Sequence, residues 1–121
     1  MSTQEAVSLA LAQPDNGVYE VQVSGRIGRG VDERIKTLLR ETSGQEAATQ
    51  AVVLNLADVA FLDSAGISSL LALQHDLTEA GGKMVLCSVP PRINQMFELV
   101  GMARVIPVAD DARRAREMCH A

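Results

Sequence analysis

The spacing of apolar and polar positions changes several times along this 121-residue chain, and each change predicts an element. Val7, Leu9 and Leu11 alternate with smaller residues, and Tyr19, Val21 and Val23 alternate with Glu20 and Gln22. That period of two is a strand's. PDNG at 14–17 lies between them as turn chemistry, so the two runs predict an N-terminal hairpin. SGRIGRG at 24–30 predicts a flexible loop. From Val31 the period lengthens, and Val31, Ile35, Leu38 and Leu39 form one helical stripe. A polar connector, TSGQEAATQ at 42–50, follows. AVVLNL at 51–56 is apolar at nearly every position, which predicts a strand buried on both faces and parallel pairing beneath helices.

ADVAFLD then leads into a helix predicted over 64–80, with Ile67, Leu70, Leu71 and Leu77 inward and Gly81 and Gly82 ending it. MVLCSV at 84–89 reads as another buried strand. Pro90 and Pro91 open a helix whose stripe is Ile93, Met96, Phe97 and Val100, and Gly101 ends it. RVIPV at 104–108 predicts a short strand, placed at an edge by Pro107. Asp110 and Asp111 cap a last helix to about Cys119, with Ala112, Ala115 and Met118 or Cys119 facing in. The order β-β-α-β-α-β-α-β-α predicts one α/β domain over residues 1–121, with a mixed sheet that is parallel in its later part.

Composition narrows the partners. Hydrophobic residues make up 47% of the chain, enough for a core at this length. Aromatics are only 2%, so aliphatic side chains and methionines such as Met84, Met96, Met102 and Met118 are expected to fill the interior. Few aromatics, a net charge of −4 and no basic cluster argue against nucleic acid or an acidic membrane surface as a partner. No run of about 18 apolar residues is present, so membrane insertion is not expected. The start carries no signal-peptide pattern. Cys87 and Cys119 fit no CxxC or zinc spacing and read as reduced thiols of a cytoplasmic protein.

Candidate chemistry converges on FLDSAGISSLLAL at 61–73. Ser64 as a nucleophile would need a base beside it. His75 lies eleven residues along the same predicted helix, roughly 16 Å away at about 1.5 Å per residue. His120 is next to the end of the chain, and LDSAG is not the G-x-S-x-G elbow. Asp58, Asp63, Asp110 and Asp111 are not spaced as a calcium loop. GRIGRG at 25–30 matches neither the dinucleotide fingerprint nor the Walker pattern. No cofactor, metal or catalytic site is expected, and the chain reads as no enzyme. Two readings of Asp63-Ser64-Ala65-Gly66 stay open. In one, Asp63 or Ser64 simply caps the helix, contributing about 1 kcal/mol. In the other, Ser64 is modified or touches a partner. Gly66 in a first helical turn costs roughly 0.5–1 kcal/mol relative to Ala, which close approach of another backbone would explain. A phosphate at a helix N-terminus is favourable, although the Asp63 carboxylate opposes it.

VVLNLADVAFLDSAGISSLLAL together with GGKMVLCSVPPRINQMFELVGMARVIPVADD resembles the STAS family, the sulfate-transporter and anti-sigma-factor-antagonist domain. The likeness covers nearly the whole chain and is nearest in pattern to the free-standing bacterial anti-sigma factor antagonists. It implies the STAS fold, a mixed four- to five-stranded sheet with about four helices packed on it. It also implies a switch: the unmodified domain binds an anti-sigma factor that is also a serine kinase. The kinase phosphorylates the serine after the aspartate, and a phosphatase reverses this. Carried onto this chain, Ser64 is the phosphoacceptor. Asp63, Ala65, Gly66 and Ser68 are expected to bind the partner, with Arg26, Gly28 and Arg29 on the loop opposite. One position departs from the pattern. The antagonists typically carry an aspartate three residues after the glycine that follows the second strand, and here Gly28 stands there. A carboxylate beside Ser64 is thereby lost, and Arg26 and Arg29 flank the gap, a field that favours a phosphate and alters the kinase's contacts. The alternative is a transport-associated STAS domain, either partner to a lipid ABC transporter or the regulatory domain of an anion or sulfate transporter. Nucleotide binding, which the family permits, finds no phosphate-cradling motif here.

Overall fold

The computed structural model describes residues 7–12, 17–43 and 51–120. β1 (Ser8–Leu11) pairs antiparallel with β2 (Val18–Ile27), as the hairpin reading expects. Most of its turn, residues 14–16, lies outside the described residues. β3 (Ala51–Leu62), β4 (Lys83–Cys87) and β5 (Val108–Ala109) add in parallel, giving the strand order β1-β2-β3-β4-β5. The helices are α1 (Val31–Ser43), α2 (Ser64–Glu79), α3 (Pro91–Val100) and α4 (Ala112–Cys119).

Both sheet faces are covered, which is why the central strands read as continuous apolar runs. On one face Val21, Val23, Val52, Leu54, Met84 and Leu86 pack with the inward residues of α1, α2 and α3. On the other, Val18, Val53, Val85 and Cys87 meet Ala115 and Cys119 of α4. Glu20 takes the same parity as Val18 and receives Arg116 of α4, Nη1 to Oε1 at 2.9 Å. Its other carboxylate oxygen accepts from Asn55 Nδ2 at 3.2 Å.

Several expectations are corrected. Residues 24–30 are not one loop: β2 runs on through Ile27, because β3 itself runs past Leu56 to Leu62 and pairs with it. Only Gly28–Gly30 remain to link β2 to α1. That helix continues to Ser43, and residues 44–50 of the expected connector lie outside the described residues. On α2 the buried stripe is Ser69, Leu70, Leu73 and Leu77, while Ile67 and Leu71 are half-buried. On α3, Ile93 and Phe97 are buried but Val100 is 55% exposed, since the helix ends there and turns away at Gly101. The strand expected at 104–108 is a 3-10 turn, Met102–Arg104, followed by the two-residue β5. Pro107 has no N–H to donate but its carbonyl accepts from Leu86 N at 2.9 Å, so it borders the sheet without forming a strand. Met84 and Met102 are buried, and Met96 and Met118 half-buried.

Candidate functional site

β4 accompanies β3 only as far as the Asn55–Cys87 pair. Beyond it, among the described residues, β3 has β2 alone beside it, and the two form a ribbon that projects past the rest of the sheet. The pairing slips twice there, between Gln22 and Ser24 and between Gly25 and Arg26, and each time β3 takes one residue more than β2. Gly25, at φ +89°, adopts a left-handed backbone beside the second slip. The result re-aims the strand ends. Ile27 and Leu62 turn into the core under α2, and Arg26 and Phe61, paired side by side, turn outward.

Asp63 follows as the helix cap. Its backbone is extended, Oδ1 accepts the Gly66 N–H at 2.8 Å, and its own N–H reaches the Ile27 carbonyl at 3.4 Å. Gly66 is buried against that same carbonyl. A Cβ at Gly66 would lie 2.3 Å from the Ile27 oxygen and 2.8 Å from Leu62 Cδ1. The close approach that explains this glycine is therefore made by the chain's own β2, and Gly66, expected to bind the partner, is buried between α2 and the ribbon. Ser64, the first residue of α2, is exposed, as is Ser68 one turn on, and Ala65 is half-buried.

The free oxygen of the Asp63 carboxylate faces the facing strand and loop. Arg26 Nη2 stands 3.8 Å from Oδ2, and a Cβ on Gly28 would stand 3.7 Å from it. Arg26 also lies over the Phe61 ring, 4.2 Å from its centroid, in a cation–π arrangement. Arg29 is exposed at the loop tip. The structure thus gathers Arg26, Gly28, Asp63 and Ser64 at one end of the ribbon.

Two members differ from the reading by sequence, in which Ser69, like Ser68, is a secondary candidate for an interface contact or a small residue facing solvent, and Phe61 has no assigned role. Ser69 is only 7% exposed, and its Oγ accepts the Gly30 N–H at 3.1 Å, which pins the β2–α1 loop to α2. Its spacing from Leu73 and Leu77, four and eight residues, was the available signal. Phe61 is 46% exposed in a chain with two phenylalanines, so its solvent position was the clue to a surface role.

Other candidates sit apart. His75 is exposed on α2. Cys87 and Cys119 are buried, and burial pushes both thiols above their ordinary pKa, so they are protonated and unreactive at neutral pH. A cavity of about 360 Å³ lies between β1 and α1 beside Leu9, Arg34 and Leu38, and another of about 280 Å³ at the end of α3 beside Phe97, Met102 and Val108. Ser64 lines neither. It is exposed to solvent outside both, open to contact by another protein.

A mixed α/β sheet with an exposed serine opening the helix after its central strand defines a recognisable class. The STAS domain profile matches residues 10–115, and the chain belongs to the STAS domain family. It is 25% identical over 95 residues to an anti-sigma F factor antagonist of Paenibacillus polymyxa, covering 78% of this chain and 80% of that one. An anti-sigma factor antagonist from Mycobacterium paratuberculosis superposes over 100% of both chains with a TM-score of 0.75 and 22% identity. The phosphorylated form of the Bacillus cell fate determinant SpoIIAA matches 92% of this chain and 99% of its own, with a TM-score of 0.64 and 18% identity. The fold is the STAS fold, with five strands and four α-helices among the described residues.

Proposed function

We propose that this STAS domain is a regulatory protein-binding module, an anti-sigma factor antagonist in a cytoplasmic partner-switching system controlled by reversible phosphorylation of Ser64. The observation that carries the reading is the exposed Ser64 at the start of α2, beside an aspartate already committed to the cap. Relatives named as anti-sigma factor antagonists, and a neighbour solved in a phosphorylated form, support it. The partner is an anti-sigma factor serine kinase, and a phosphatase resets the switch. Asp63, Ala65, Ser68, Arg26, Gly28 and Arg29 surround Ser64 and form the contact rim. The domain acts as ligand and substrate, not as catalyst.

The physics of release is charge at a covered surface. A phosphate adds about −1.5 to −2 at neutral pH. Burying that beneath a partner built for a hydroxyl leaves it without matched donors, and the complex separates. Incubation with the cognate kinase and ATP, followed by mass-spectrometric mapping, is expected to place phosphate on Ser64. Unmodified Ser64, or equal labelling of Ser64→Ala, overturns the proposal.

A further inference from the structure

We infer that Arg26 is this chain's own counter-ion for a phosphate on Ser64, seated on Phe61 and shared between that phosphate and Asp63. The inference rests on the reading of Ser64 as phosphoacceptor, but its test does not need the kinase.

The β2–β3 register sets Arg26 beside Phe61, and the ring carries the guanidinium at 4.2 Å. From there Nη2 is 3.8 Å from Asp63 Oδ2, well beyond the roughly 2.7–2.9 Å of a charge-assisted hydrogen bond. Asp63 does not swing closer, because its other oxygen holds the Gly66 N–H at 2.8 Å. The pair is loose by construction. A guanidinium carries five N–H donors in a planar fork, enough to serve two oxyanions at once. Consecutive Cα atoms lie about 3.8 Å apart, so a phosphate on Ser64 is carried next to the Asp63 cap. With Arg26 between them, the dianion and the carboxylate share a cation; without it they face each other.

Gly28 completes the arrangement. A side chain there would start 3.7 Å from Asp63 Oδ2, so an aspartate would place a second carboxylate in competition for Arg26. Among the described residues, the charged side chains at this end include Arg26 from β2, Arg29 from the loop and Asp63 before α2, with Asp32 and Glu33 in the first turn of α1 behind the loop. Among the described residues, Arg26 and Arg29 bring positive charge to this end beside the one carboxylate of Asp63. The modified site is therefore one charge less negative than it would be with aspartate at 28.

Phosphoserine installed at position 64 during translation gives the modified protein directly. A ³¹P NMR titration then reads the second phosphate pKa, ordinarily about 6. It is expected to lie about half a unit or more lower with Arg26 present than in Arg26→Gln, since a nearby cation favours the dianion. Phe61→Leu should fall between the two. Gly28→Asp, which leaves Arg26 in place, should raise the value above that of the unaltered sequence. Equal pKa values with and without Arg26, or no rise in Gly28→Asp, overturn the inference whatever the kinase experiment gives. If Ser64 proves not to be the kinase's target while the titration behaves as expected, the functional reading falls and the counter-ion assignment stands.

Discussion

α2 and α4 begin with the same device. Asp63 Oδ1 accepts the Gly66 N–H at 2.8 Å, and Asp111 Oδ1 accepts the Arg114 N–H at 2.8 Å, each from an extended backbone. Only one of these helix starts is a candidate switch. The third helical residue of α4, Arg114, is exposed and pairs with Glu117 along its own helix. The third helical residue of α2, Gly66, is buried against the end of β2. An aspartate cap is thus common to both and specifies neither. What distinguishes the start of α2 is its attachment to the projecting β2–β3 ribbon, which brings Arg26, Phe61 and Gly28 to the side of an exposed hydroxyl.

The sharpest way to break the comparison is to give both helices alanine at that third position. Gly66→Ala forces a methyl to within 2.3 Å of the Ile27 carbonyl, and a backbone oxygen cannot move aside as a flexible side chain would. Overpacking of this kind costs roughly 1–3 kcal/mol, and the upper end is expected. Arg114→Ala removes an exposed side chain and should stay within about 0.5 kcal/mol. Urea denaturation of both variants checks the contrast. Equal midpoints would mean that α2 lifts off the ribbon at little cost, and the close approach would then carry no energy.

Removing the caps should give a smaller and more even effect on folding. Asp63→Ala and Asp111→Ala each delete one side chain to backbone bond, worth about 1 kcal/mol. Thermal melts are expected to show similar losses. Kinase binding should separate them: Asp63→Ala also removes the anion facing Arg26, whereas Asp111 lies at the start of α4 against the other sheet face. A binding assay in which both variants lose affinity equally would place the contact surface elsewhere.

Much of this was legible in the residues themselves. Periodicity marked every helix, and both-face burial of AVVLNL and MVLC announced a parallel sheet. The Asp-Ser-Ala-Gly segment declared a cap and a glycine needing explanation. What the pattern could not carry was the explanation, because the atom against Gly66 belongs to Ile27, thirty-nine positions earlier. The ribbon was hidden for a related reason. Register slips break the alternation in SGRI and ADVAFL, so a strand that bends reads as a loop. Arg26 over Phe61 is likewise a product of register, invisible until the two strands are paired. The ending of α3 failed differently: Leu99, Val100 and Val105 are apolar yet 87%, 55% and 53% exposed, and apolarity alone does not fix burial.

The smallest expected effect concerns how the two helices are tied down. α4 is held by Arg116 on Glu20, and α2 by Lys36 Nζ on Asp76 Oδ2 at 2.6 Å, with Glu33 Oε2 at 3.2 Å. The hydrogen bond to Asp76, foremost, raises the Lys36 pKa above its ordinary 10.5. A raised folded-state pKa stabilises fully below the unfolded value and loses that contribution as pH climbs through the folded one. Arginine stays charged throughout that range. Alkaline pH should therefore loosen the tie on α2 and spare the tie on α4. Because Asp76 is 41% exposed, Lys36→Met should cost only about 0.5 kcal/mol at neutral pH. That difference from the unaltered protein should shrink as pH rises past 10.5. The buried thiols of Cys87 and Cys119, also raised in pKa, lose stability on the alkaline side too, but equally in both proteins, so they cancel in the difference. Arg116→Leu supplies the contrast: its stability difference should not shrink over the same range, and should grow slightly, because Arg116 also favours the Cys87 thiolate. A Lys36→Met difference that does not change with pH would mean that Lys36 holds α2 through its aliphatic stem, and the parallel between the two ties would rest on packing, not charge.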